Sequence, residues 1–351
     1  MKKHGKLDKV PFISICTPTF NRRPFIPIII KCFENQTYPK DKMEWIIVDD
    51  GTDKIEDLVA HIPQVKYFKY DEKMTLGKKR NITNEKAKGD ILIYMDDDDY
   101  YPPDRVSHAV DTLKKNPKAL CAGSSAMYIY FKHIEKMYQF GPYGPNHATA
   151  ATFAFRKELL QQTKFDETAS VAEEKKFLKD YKIPFAQLDP LKSILVFSHN
   201  HNSFDKKVLL KQMPNSFIKE VSMKPSDFVK EGYVLKFFME DINQLLDNYA
   251  LGSPENKPDV SKQIIQMQET REKMIKQQTD YNNLINKFAN DKSGVNDKSF
   301  QNKVDELSLI VQELTMENNQ LKDKVKYLED KMRQLIVEQI QFKRTCTAHQ
   351  N

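Results

Sequence analysis

The stretch that most constrains this chain is Gly89 to Arg105, Gly-Asp-Ile-Leu-Ile-Tyr-Met-Asp-Asp-Asp-Asp-Tyr-Tyr-Pro-Pro-Asp-Arg. Ile91 to Met95 is a short apolar run of the kind that forms a buried strand, and four adjacent carboxylates, Asp96 to Asp99, close it. Such a run repels itself, has poor strand propensity and cannot be buried unpaired, so it needs a cation or hydrogen-bond donors to hold it together. A solvated acidic turn would not need a buried strand leading straight into it. If strand geometry persists, Asp96 and Asp98 share one side of the chain and reach one hard divalent ion together with a diphosphate.

The same pattern recurs upstream. Phe12 to Cys16 is a strand candidate running into Thr17-Pro18-Thr19-Phe20-Asn21-Arg22, after which Phe25 to Phe33 reads as a buried helix. Glu44 to Val48 is a second strand that ends in Asp49-Asp50-Gly51-Thr52, with Gly51 allowing the tight exit. Val65 to Tyr70 is a third, and Gly77-Lys78-Lys79-Arg80-Asn81 then opens a polar helix that Gly89 stops. Strands separated by helices and ending in polar residues describe an open, mostly parallel α/β sheet whose ligands bind off the carboxyl ends of the strands. The chain has neither Gly-x-Gly-x-x-Gly nor Gly-x-x-x-x-Gly-Lys-Ser/Thr. Phosphate is left to the metal and to Lys78 and Arg80, taken to lie one turn apart at a helix start whose own amides favour anions.

Thr17-Pro18-Thr19-Phe20-Asn21-Arg22, Val48-Asp49-Asp50-Gly51-Thr52, Gly77-Lys78-Lys79-Arg80-Asn81 and Met95-Asp96-Asp97-Asp98-Asp99, in this order and spacing, resemble the family 2 glycosyltransferases of the GT-A fold. The resemblance covers Pro11 to Asp104 and continues more loosely to about Lys206. It implies transfer of a sugar from a nucleotide donor, a UDP-sugar, to a hydroxyl of a glycan, protein or other acceptor, with inversion and with Mn²⁺ or Mg²⁺. Carried over by position, Thr17 and Phe20 line the base pocket and Asp50 accepts from the base imide. Asp96 and Asp97 flank ribose and diphosphate, and Asp98 ligates the metal. Phe20 stands where the family usually has Tyr, so stacking survives and a hydroxyl contact is lost.

An inverting transfer also needs a carboxylate to take the proton of the attacking hydroxyl. The family places an acidic pair, usually Glu-Asp, before a helix at this distance past the metal motif, with the second member as base. Here the pair is Glu173-Glu174, which makes Glu174 the base by position, with a longer side chain than usual. Ser193 to Phe197 is a last strand, followed by Ser198-His199-Asn200-His201. Family 2 relatives of the GT-A type often supply a histidine ligand from this region. His199, directly after the strand, is preferred over His201 to join Asp98 and Asp96 at the metal, although Mg²⁺ and Mn²⁺ favour oxygen.

Elsewhere Pro102 to Lys115 reads as a helix, Ala119 to Gly123 and Met127 to Phe131 as strands, and Phe217 to Leu251 as an amphipathic segment packing back on the sheet domain. Gly252 to Pro258 reads as a linker. Ile264, Met267, Met274, Tyr281, Ile285 and Phe288 keep helical spacing until Asp291 to Asp297 breaks it. Leu307, Leu314, Leu321, Leu328 and Leu335 then recur every seventh residue, with Val304, Val311, Asn318, Val325 and Met332 between them. This is a leucine-zipper pattern, and it predicts a parallel homodimer. The expected divisions are a catalytic domain over 1–222, a packing helix over 223–252, and a linker with an all-α coiled-coil tail over 253–351.

At 351 residues the chain is long enough for this arrangement, and its charge of +6 is interspersed rather than clustered, so no nucleic-acid footprint is read. Cys16, Cys32, Cys121 and Cys346 lack metal-type spacing, which points to a reducing compartment. Met1 to Lys9 has no apolar leader and no window is long enough to span a bilayer, so a cytoplasmic protein is expected. Two rivals stand beside the enzyme: a degenerate fold serving as a coiled-coil scaffold, and a nucleotidyltransferase. The latter normally carries a glycine-rich basic loop after its first strand, where this chain has Thr-Pro-Thr-Phe-Asn-Arg.

Overall fold

The computed structural model describes residues 10–211 and 213–291. Eleven strands are formed among them: β1 Ile13–Thr19, β2 Met43–Asp49, β3 Val65–Lys69, β4 Ile91–Tyr94, β5 Cys121–Gly123, β6 Met127–Phe131, β7 Lys136–Phe140, β8 Ala154–Arg156, β9 Phe185–Gln187, β10 Leu195–Ser198 and β11 Ile218–Val221. Seven make one sheet in the order β3-β2-β1-β4-β8-β5-β9. β1 runs parallel to both β2 and β4, with Ile13 opposite Met43 on one side and Ile91 on the other. β8 alone reverses direction, against β4 and β5, so the sheet is mostly parallel as expected, and the parallel part formed by β3, β2, β1 and β4 carries the motifs.

β1, β2 and β4 are buried at every position, because helices and loops cover both faces of the parallel half; that is why they read as unbroken apolar runs rather than alternating ones. Over one face the helix Ile26–Glu34 stacks Phe33 on Trp45, ring centroids 4.9 Å apart. On the helix Leu76–Lys86, Gly77 is required by close approach: a Cβ there would sit on the carbonyl oxygen of Asp166, and the Gly77 N–H donates to the Ala169 carbonyl. That contact fixes the loop leading to Glu173 against the helix bearing Arg80.

A second sheet, β10-β6-β7-β11, packs beside the first. Sequence pattern located β6 and β10 but not β7, β9 or β11, whose short, aromatic or half-polar strands carry little periodicity. The segment after β11 packs back as expected, through short helices that bury Phe228, Val234, Phe237, Phe238, Ile242 and Leu246, with Phe238 stacked on Phe197 at 4.0 Å.

The compact unit runs on to Arg271, and the supposed linker is folded into two tight turns, Ala250–Gly252 and Pro254–Asn256, ahead of the helix Pro258–Asp291. The described part of the second unit, residues 272–291, is helical. Of the expected break over 291–297 only Asp291 is described, as the last residue of this helix, and the zipper over 304–335, with Asn318, falls outside the described residues. Among the described residues no helix is long and apolar enough to cross a membrane.

Candidate active site

β1, β2 and β4 end together, and at their carboxyl edge opens a cavity of about 240 Å³. Pro18 and Phe20 from the end of β1, and Asp96 to Asp99 from beyond β4, form part of its lining. Strand geometry stops at Tyr94 and the chain turns through Asp97-Asp98, so strand alternation is not what brings Asp96 and Asp98 to the cavity. Their carboxylates go to different arginines: Asp96 accepts from the two terminal nitrogens of Arg80 at 3.3 and 3.2 Å, and Asp98 accepts from Arg22 at 3.1 Å.

The run is held by splitting its charge. Burial would raise Asp98, but Arg22 and then His199 outweigh it and keep this carboxyl well below the usual range. Asp97 is pushed up to about 6 by burial, which Arg22 only partly offsets. Burial and then the charge on Asp98 hold Asp99 well above the ordinary range, and its Oδ1 is buried without a hydrogen-bond partner.

His199 sits with Nε2 3.5 Å from Asp98 Oδ2, and burial lowers its imidazole to about 4 despite that carboxylate. Both ring nitrogens already have protein partners: the His201 N–H at Nδ1, and the Asn202 amide and Asp98 at Nε2. In this arrangement His199 braces Asp98 rather than offering a free lone pair. His201 contributes its carbonyl to Arg22 and leaves its own Nδ1 unpartnered.

Among the described residues no group of three or more His, Cys, Asp or Glu side chains is arranged to hold a metal. Mg²⁺ and Mn²⁺ need less from a protein, taking one or two carboxylates and completing the shell with water and phosphate oxygen. The donor set fits such an ion: hard oxygens of Asp98 and Asp96 at the cavity, and the unpartnered Asp99 Oδ1 beside them.

Phe20 faces the cavity with Lys73 and Lys79 ammonium groups 5.3 and 5.6 Å from its ring centroid. Thr17 does not face it. One residue before Pro18 on the pleat, Thr17 turns inward, donating to the Met95 carbonyl and accepting from the Trp45 indole. Asp50 is buried with both oxygens engaged, one by the Met74 N–H at 2.6 Å and one by Lys79 Nζ at 2.7 Å, so it acts as a base under the two residues that do line the cavity.

The pairing of Lys78 with Arg80 also needs correction. Residues two apart lie about 200° around a helix, not on one face. Lys78 is exposed, Lys79 reaches the cavity, and Arg80 is buried beneath it.

The helix Glu174–Phe177 begins at the acidic pair. Glu173 accepts from Arg80 Nε at 2.8 Å, so Glu173, Arg80 and Asp96 form one connected chain of charge. Glu174 is half-buried, and burial followed by repulsion from Glu173 raises it to about 7. Neither glutamate lines the cavity, whereas nearby Ser170 does.

Sequence reading assigned no role to Arg22, Lys73, Lys79, Lys206 or Lys257, all at the cavity wall. Arg22 lay inside a motif already singled out and Lys79 would have emerged from a helical projection. Lys257 had no local signal.

Residues 14–172 match the family model described as Glycosyl transferase family 2. The family 2 match stops just short of Glu173. An uncharacterized glycosyltransferase of Haemophilus influenzae is 30% identical over 122 residues, 33% of this chain and 48% of that protein. The poly(ribitol-phosphate) beta-N-acetylglucosaminyltransferase TarS of Staphylococcus aureus is 29% identical over 92 residues, 25% of this chain and 16% of its own length. The chain thus spans at most about half the length of these relatives. A mannosyltransferase of Pyrobaculum calidifontis, solved with GDP-Man and Mn²⁺, aligns over 54% of this chain and 57% of its own at 18% identity and a TM-score of 0.44.

Proposed function

We propose that this chain transfers a sugar from a nucleotide donor, a UDP-sugar in the first instance, to a hydroxyl acceptor with inversion. The observation that carries the reading is the cavity itself, in which an aromatic ring fit to stack on a base stands beside a carboxylate run and a set of lysines, at the carboxyl edge of β1 and β4. The family 2 match, which spans Phe20, Lys73, Lys79 and the carboxylate run, supports it.

Phe20 stacks on the base, and Lys73 and Lys79 beside its ring carry positive charge toward the first phosphate. Asp98, with Asp96, would hold Mn²⁺ or Mg²⁺, which when bound supplies positive charge against the departing diphosphate. Arg22 and Arg80 keep the carboxylate run together and orient those oxygens. Glu174 takes the proton of the attacking hydroxyl. A carboxyl held near 7 is an effective base at neutral pH, whereas Glu173 is committed to Arg80.

The reading is tested by screening nucleotide sugars for Mn²⁺-dependent hydrolysis, which needs no known acceptor. Release of a nucleoside diphosphate is expected; pyrophosphate released from a nucleoside triphosphate supplied with a sugar 1-phosphate, with no nucleoside diphosphate from the nucleotide sugars, would instead make the chain a nucleotidyltransferase. The scaffold reading is favoured by one observation, that Arg22 and Arg80 already neutralise Asp98 and Asp96. Absence of both binding and hydrolysis across the panel would decide for it.

A further inference from the structure

The family 2 match ends at residue 172, yet one wall of the cavity comes from far beyond it: Ser203, Lys206, Lys257, Asp259 and Val260. This wall is built in. Asp259 holds both the Lys73 ammonium and the Ser170 hydroxyl, and Gln263, one turn further along the helix, accepts from the Ser170 N–H at 2.8 Å and donates to the Thr168 carbonyl at 2.7 Å. The start of the helix Pro258–Asp291 thus ties together the loop after β3 and the loop leading to Glu173.

Within this wall the cations differ in what they face. Arg22 is paired with Asp97 and Asp98, Lys79 with Asp50 and Lys73 with Asp259. Lys257 is only 5% exposed, and its Nζ donates to the Ser203 hydroxyl at 3.0 Å. Among the described residues it forms no ion pair with a carboxylate. Lys206 likewise forms no such pair but is only half-buried. A buried ammonium satisfied by one hydroxyl is poorly compensated, and is retained where an anion arrives to complete it. Burial, and then repulsion from Arg22, lower Lys257 to about 7, although Asp98 and Asp97 pull in the other direction.

We infer that Lys257, supplied by the segment once read as a linker, binds the diphosphate of the donor and is a specificity-determining residue for diphosphate over nucleoside. The inference rests on the reading of the cavity as a nucleotide-sugar site. It makes the start of the tail helix part of the binding machinery rather than a spacer. A diphosphate entering between Phe20 and the carboxylate run would meet Lys257 and Lys206 in the lining of the same cavity.

The test compares calorimetric affinity of the full chain for UDP and uridine, and for GDP and guanosine, in excess Mg²⁺. Wild type, Lys257→Met and Lys257→Arg are measured, with thermal unfolding of each. Methionine keeps the length and removes a buried charge, so its unfolding temperature should not fall. The expected result is a loss of at least tenfold in nucleoside diphosphate affinity for Lys257→Met, unchanged nucleoside affinity, and partial recovery in Lys257→Arg. Equal diphosphate affinity in wild type and Lys257→Met would overturn the assignment while leaving the cavity a nucleotide site. Parallel losses for nucleoside and diphosphate would also overturn it, because they would make Lys257 a packing residue. Failure of the wild type to bind any of the four compounds would remove the underlying reading along with the assignment.

Discussion

Glu173 and Arg80 form an ion pair, Oε1 to Nε 2.8 Å, in which both side chains are at least 95% buried. Arg80 keeps its remaining nitrogens on Asp96, so the pair links the acidic run after β4 to the acidic pair before the helix Glu174–Phe177. Removing one partner of a buried pair leaves the other charge uncompensated. Glu173→Ala is therefore expected to lower stability by about 3 kcal/mol, the low end of the range because Asp96 still faces Arg80. Urea unfolding measures it, and a loss well under 1 kcal/mol would mean that Arg80 is held by Asp96 alone.

The neighbouring glutamate behaves differently. With Glu173 committed to Arg80, Glu174 is left as the proton acceptor, and Glu174→Gln should reduce turnover by roughly 10²- to 10⁴-fold while donor affinity stays within a factor of two or so. Steady-state kinetics beside calorimetry separates the two quantities. A Glu173→Gln variant that folds normally and loses turnover, next to an active Glu174→Gln, would reverse the assignment within the pair.

Glu174 also sets a pH dependence. Its carboxyl is raised from 4.5 to about 7 by burial and then by Glu173, and a base works only when ionised. Turnover should rise with pH and level off above about 7. The linked effect on stability has the opposite sense: the folded state binds this proton more tightly than the unfolded chain, so the group favours folding most below 4.5 and loses that contribution as pH climbs through 7. A kcat profile already flat from pH 5 upward would exclude Glu174 as the base.

Much of this site was legible from residue order. Buried parallel strands announce themselves as apolar runs, and their polar ends mark the ligand edge, which is how β1, β2 and β4 and the Asp96 to Asp99 run were located. What sequence could not supply was direction around a backbone. Thr17 and Pro18 are adjacent, yet only Pro18 faces the cavity; Lys78 and Lys79 are adjacent, yet only Lys79 does. Lys257 was out of reach for another reason, since its place depends on the fold of everything between Glu174 and Pro258.

Asp98 carries the metal expectation. Replacing it by Asn removes the one carboxylate of the run that Arg22 and His199 hold firmly ionised, while the amide oxygen can still accept from Arg22. Asp98→Asn is expected to fold normally and to lose at least tenfold in Mn²⁺-dependent UDP-sugar affinity. Calorimetry with and without Mn²⁺ checks it. An unchanged Mn²⁺ contribution in the variant would move the ion, if it binds, to other oxygens such as those of Asp99.

The tail prediction rests on the sequence beyond the described residues and on one feature inside them. Met267 and Met274, seven apart on the helix Pro258–Asp291, are 51% and 63% exposed, and the same seven-residue spacing recurs in the sequence, in another register, at Leu307 and Leu314. In the zipper Asn318 takes a Val-type core position, where a buried amide pairs across a two-stranded parallel interface and fixes register. A trimer or an antiparallel pair would leave it poorly partnered. Glu317 would face Lys322 of a second copy, and Lys324 would face Glu329, opposite signs in the parallel arrangement. Each exposed pair contributes about 0.5 kcal/mol, enough to choose orientation but not to drive association. Because Lys257 and Asp259 belong to the cavity wall, a truncation at Gly252 would damage the site, and the informative cut falls after Asp291. Light scattering at micromolar protein is expected to give a dimer for the full chain and a monomer for residues 1–291, with Asn318→Leu shifting the full chain toward higher oligomers. A full-length monomer, or a truncated dimer, would remove the zipper from the account of assembly.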